Sequence, residues 1–173
     1  MESMGNLATK ERRAGWASYL ASALLLASIF TLFLPVLGVV DENGMLFSFS
    51  SRLLYFGGLQ TLEQGGLTYS FAFRLNPYFL AVLALVCLSF LFALFGKNSP
   101  TRLLLSLISL VLAAVALGFA PWFCLAANAP MPSDGLVYEY GFFVTEFLFV
   151  CSAIFLFVLW FSSRAFWRRK KQK

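Results

Sequence analysis

Long apolar runs alternate with short polar breaks along this chain, and four of the runs are long enough to matter. Residues 14–40, 78–95, 103–123 and 142–161 together contain a single acid and no Lys, Arg or His. A helix rises 1.5 Å per residue, so about 20 apolar residues cross about 30 Å of hydrocarbon. Each run therefore predicts a transmembrane helix. The first is longer than a crossing needs, and its far end is expected to tilt, kink at Pro35 or project from the membrane. It also far exceeds the roughly 7–15 residues of a signal-peptide core, and no small-x-small cleavage site follows before Asp41. It reads as a retained anchor.

The breaks carry helix-start chemistry. Asn76-Pro77 and Ser99-Pro100 each set a capping side chain before a proline suited to the first helical position. Residues 96–101 form so short a link that the second and third runs must make an antiparallel hairpin. Along the third run Ser106, Ser109, Ala113, Ala116 and Ala120 recur three and four apart. In lipid it is small residues that mark helix contacts, because acyl tails are as apolar as leucine. Ala14, Ala17, Ala21 and Ser28 mark a similar stripe on the first run. The third helix is expected at the centre of the assembly.

In residues 41–76 the period changes. Leu67, Tyr69, Phe71, Phe73 and Leu75 alternate with Thr68, Ser70, Ala72 and Arg74, and Phe47-Ser48-Phe49-Ser50 repeats the pattern more briefly. Alternation with aromatics argues for half-buried strands, and Gly57-Gly58 and Gly65-Gly66 supply turns. The fold expected is an all-α membrane protein, one domain over residues 1–173. It is a left-handed four-helix transmembrane bundle with a small β-hairpin or sheet in the loop 41–76. The second long loop, after the third run, contains Pro130 and Pro132 and reads as irregular.

Composition agrees with lipid as the solvent. Of 173 residues, 60% are hydrophobic, 18% aromatic and only 12% charged, with mean hydropathy +0.80. A soluble domain of this size cannot hide that much apolar surface. Charge then sets orientation. Lys10, Arg12 and Arg13 precede the first run, Lys97 and Arg102 lie between the second and third, and Arg164, Arg168, Arg169, Lys170, Lys171 and Lys173 follow the fourth. Only Arg52 and Arg74 fall on the other side. The positive-inside rule makes the crowded side cytoplasmic. It gives a disordered cytoplasmic segment 1–13, an extracytoplasmic β-containing loop 41–76 and a basic cytoplasmic tail 162–173, in a plasma (cytoplasmic) membrane. The basic balance thus reflects topology, and no nucleic-acid partner is implied.

Candidate chemistry is sparse. Without histidine the chain lacks the commonest general base and metal ligand. Cys87 and Cys151 sit mid-run, Cys124 stands alone, and there is no CxxC. HExxH, GxSxG, Walker and GxGxxG motifs are also missing. The expectation is a non-enzyme with no catalytic residue, cofactor or metal. The acid within a run is Glu146, and an ionisable group at membrane depth costs a few kcal/mol unless paired or wetted. Its expected partner is Arg74, two residues before the Asn76 cap, with Arg52 as the alternative, in a structural ion pair that pins the β-element to the helices. Arg168, Arg169, Lys170, Lys171 and Lys173 suit anionic headgroups at the cytoplasmic face.

The layout is similar to that of claudin-like tetraspan proteins: cytoplasmic termini, a long strand-bearing first outer loop, a short inner loop and a second outer loop. The likeness is one of topology only. The signature of that family's first loop, a Trp, then Gly-Leu-Trp, and two cysteines, is absent from residues 41–76, and no residue role carries over. The functional expectation is a membrane protein acting through protein contacts, an accessory or scaffold subunit with a membrane-protein partner or a homo-oligomer. The alternative is a small oligomeric transporter or channel using Glu146.

Overall fold

The structure is a computed structural model that describes residues 4–40, 44–64, 66–96, 99–122 and 136–171, with side chains described from Trp16 to Arg164 apart from residues 62, 64, 67 and 69. In chain order the elements are α1 (Met4–Thr31), β1 (Leu37–Val40), β2 (Leu46–Ser48), α2 (Ser51–Phe56), β3 (Gly58–Gln64), β4 (Leu67–Phe73), α3 (Pro77–Gly96), α4 (Pro100–Gly118), β5 (Leu136–Tyr138) and α5 (Tyr140–Lys171). Among the described residues, α3, α4 and the segment Tyr140–Arg164 of α5 are long and apolar enough to cross a membrane, and α1 contributes a shorter apolar stretch, Trp16–Thr31. These three helices make the chain an integral membrane protein.

The helix starts follow the residues that predict them. Asn76 is fully buried and its Oδ1 accepts from the Tyr78 backbone N–H at 3.0 Å, ahead of Pro77. Ser99 takes the same role before Pro100 by accepting from the Arg102 N–H. Arg102 then turns back to donate from Nη1 to the Phe95 carbonyl at 3.1 Å, which satisfies an orphan acceptor at the end of α3.

Three segments differ from expectation. Helix α1 begins at Met4, inside the segment expected to be disordered, and stops at Thr31, well before residue 40. Leu37–Val40 is instead a strand, a switch that apolar composition hides because a buried strand and a buried helix read alike. Helix α5 runs on through the basic tail to Lys171. The loop read as irregular contains β5, which pairs antiparallel with β1.

The strands form two antiparallel sheets, one in the order β2-β1-β5 and the other a β3-β4 hairpin. Phe49, just past β2, is fully buried and meets Phe71 and Phe73 of β4 edge-on at 5.3 and 5.1 Å. The Gln60 amide bridges the two sheets by donating to the Ser48 carbonyl and accepting from the Ser50 N–H.

Helix α1 packs on α3 and α5, and α4 packs on α3 and α5, so α3 and α5 stand diagonally. Small and polar residues contribute to these contacts. Ser89 and Ser106 bond reciprocally, each hydroxyl donating to the other residue's carbonyl at 2.9 and 2.8 Å. Ser18 donates to the Ala93 carbonyl. One turn further along these antiparallel helices, Ser22 therefore comes level with Ser89. Thr145 bonds Thr31, and two turns further in, Ser152 reaches within about 3 Å of the same level at 1.5 Å per residue. All five of these serines are buried.

The tightest approach lies where α1 ends and α5 begins. The Gly141 N–H donates to the Pro35 carbonyl at 2.9 Å and the Glu139 N–H to the Val36 carbonyl at 2.9 Å. A Cβ on Gly141 would collide with the Pro35 carbonyl oxygen and sit 2.9 Å from the Leu34 Cβ. Gly141→Ala should therefore cost about 1–3 kcal/mol by overpacking, read as a lower unfolding temperature in detergent. Gly118→Ala, where an added methyl meets open space, should leave that temperature unchanged or slightly higher.

Candidate functional site

Around the β-bearing end of α5, several polar atoms are buried without partners. Phe142 stacks on Tyr138 at 4.1 Å between ring centres, and the Tyr138 hydroxyl donates to the Gly118 carbonyl at the end of α4. This closes the top of the α4–α5 seam. Glu146 lies one turn below Phe142 on the same flank of α5. Its Oε1 is sealed from solvent and accepts no hydrogen bond, while the residue as a whole stays part-exposed. One carboxylate oxygen is thus enclosed and unpaired in a side chain that is part-exposed as a whole. Burial raises the Tyr138 phenol above its ordinary pKa, and the Glu146 carboxylate adds a smaller push in the same direction.

The expected charge pair is not formed at that oxygen. Arg74 and Arg52 are both exposed, and neither bonds Glu146 Oε1. Arg74 leads into α3, which stands diagonal to α5 in the helix packing. The basic residues Arg168, Arg169, Lys170 and Lys171 lie on the last turns of α5; Lys173 lies outside the described residues. Just before them, the Arg164 guanidinium sits 5.3 Å from the centre of the Trp160 ring. Cys87 and Cys151 are free and part-buried, and Cys124 lies outside the described residues.

Sequence reasoning missed Glu139 and Tyr55. Glu139 is 6% exposed, its Oε1 has no partner, and that oxygen occupies the space a Cβ on Gly38 would take. A glycine inside the apolar run Leu37–Val40 was the available signal for such an approach. Tyr55 of α2 is fully buried against Phe33 and Phe79, and its hydroxyl has no partner. Between α3 and α4 there is an apolar dent lined by Tyr78, Phe79, Val82, Ala116, Leu117 and Ala120, with no room for a water molecule. Among the described residues, no cluster of three or more His, Cys, Asp or Glu is placed to hold a metal. No family model, curated protein or solved structure matches the chain.

Burial raises the Tyr55 phenol well above its ordinary pKa. A phenol that ionises later when folded supports the fold below its unfolded pKa, about 10. That support is lost as pH climbs through the folded value. Tyr55→Phe removes a buried hydroxyl that bonds nothing, so it should leave stability at neutral pH unchanged or raise it by about 1 kcal/mol. It should also flatten the decline above about pH 10. Thermal melts of both proteins across pH 7–11 check the two signs together.

Proposed function

We propose that the chain is a four-helix transmembrane bundle, claudin-like in layout only, with cytoplasmic termini and an extracytoplasmic β-module. It acts without catalysis as an accessory or scaffold subunit of a complex in the plasma membrane. The observation that carries this reading is the way the helices use their polar residues. Ser89 and Ser106 satisfy each other across α3 and α4, Thr31 and Thr145 across α1 and α5, and Ser18 bonds a backbone carbonyl of α3. These groups are taken up in holding helices together, and so are not open to a polar solute as a conducting path requires. The outward faces are apolar and bulky: Phe30, Phe95, Phe143, Phe147 and Phe161 are each more than 60% exposed, a surface for lipid and for partner helices. The basic end of α5 then meets anionic headgroups at the cytoplasmic face.

The second reading, a small oligomeric transporter or channel, is favoured by one observation, the unpaired Glu146 oxygen. Two experiments separate the readings. Affinity purification in mild detergent should recover the same stoichiometric partner chains from independent preparations. Proteoliposomes holding the purified protein should show no flux above empty vesicles for protons, Na⁺ or K⁺. A specific flux abolished by Glu146→Gln would overturn the scaffold reading and establish the transporter.

A further inference from the structure

We propose that Glu146 is the docking point for a lysine or arginine on a transmembrane helix of a different protein, at the α4–α5 seam. The inference rests on the protein-contact reading and names the chemistry of the contact. Glu146 has one oxygen sealed and unbonded. The residue as a whole is part-exposed, on the flank of α5 that also carries Phe143, Phe147 and Val150, which are 61%, 67% and 56% exposed. It lies six residues into α5, about 9 Å along the axis at 1.5 Å per residue. A carboxylate at that depth is stabilised by a charged or donating partner, and large apolar side chains around it exclude competing water.

Among the described residues, no basic side chain bonds the sealed oxygen. Arg74 and Arg52 do not bond the sealed oxygen, and the four apolar runs contain no Lys, Arg or His. A second copy meeting the seam within the membrane brings no cation either. It adds a second carboxylate, which repels. The complement is therefore a basic side chain at matching depth on another chain, with apolar neighbours to cover Phe143, Phe147 and Val150.

The probe is a set of three synthetic Leu/Ala transmembrane peptides, co-reconstituted with the full-length protein in phosphatidylcholine vesicles. One carries a lysine at the depth of Glu146, one carries it at the mirror depth in the opposite leaflet, and one carries leucine throughout. Association is read by energy transfer between labelled peptide and protein. The matched lysine peptide should associate about tenfold more strongly than the leucine peptide, as expected for one good polar contact in lipid. The mirror-depth peptide should behave like the leucine control. Glu146→Leu should erase the preference and Glu146→Gln should reduce it several-fold, with thermal melts of each variant confirming that it is folded. Equal association of all three peptides, or a preference that survives in folded Glu146→Leu, overturns the proposal. Co-purification fails separately: if it recovers partners while the peptides show no preference, protein contact stands and this docking point does not.

Discussion

The contact between the end of α1 and the start of α5 is the constraint on which the rest of the structure depends. Pro35 and Val36 leave the membrane-embedded part of the chain as extended backbone, and Glu139 and Gly141 enter it. Their carbonyls and N–H groups pair directly, and only a residue without a Cβ fits at 141. That pairing continues outward as the β1–β5 ladder and inward as the Thr31–Thr145 hydroxyl contact. The same few residues thus set the spacing of α1 and α5, the position of the sheet over the helix ends and the depth at which Glu146 enters the α4–α5 seam. Backbone leaving a helix within or beside lipid must satisfy its polar groups inside the protein, and here the two segments satisfy one another.

Further in, polarity is rationed. Hydroxyls sit on close helix contacts, and most of them return a hydrogen bond to a neighbouring helix or to their own helical turn. Against that background the unsatisfied atoms stand apart. Ser22 and Ser152 are small neutral hydroxyls whose cost is modest, but Glu146 bears an ionisable carboxyl group. A buried group without a partner costs about 1–3 kcal/mol, more when charged. In a chain whose other interhelical polar contacts are economical, an acid left open on an outward flank is the feature that most needs a second molecule to explain it.

Much of this was legible in the sequence. The helix starts at Pro77 and Pro100 rest on local chemistry, a capping side chain followed by proline, and the alternation at residues 67–73 announces β4 directly. The exit of α1 was hidden, because Leu37–Val40 is as apolar as the helix before it and only Gly38 betrays a strand. Strand β5 is three residues long and its partner lies far back in the chain, so no window around it carries the signal. Period-2 patterning found β2 and β4 but not their partners, since register depends on contacts between segments. Glu146 was visible as the acid within an apolar run. That its Oε1 is enclosed without a hydrogen bond was not, because which helices adjoin is decided by small-residue packing across the whole assembly.

The central claim is that this protein meets another protein, rather than only lipid, along the flank of α5 that carries Glu146. Site-specific photo-crosslinking in native membranes tests it most directly. A photoreactive amino acid would be placed in turn at Phe143, Phe147 and Val150 on that flank, and at Ile108 and Val111 on the exposed face of α4. The account predicts discrete protein adducts of one size from the three α5 positions and lipid adducts from the two on α4. Lipid adducts alone from all five positions would contradict it.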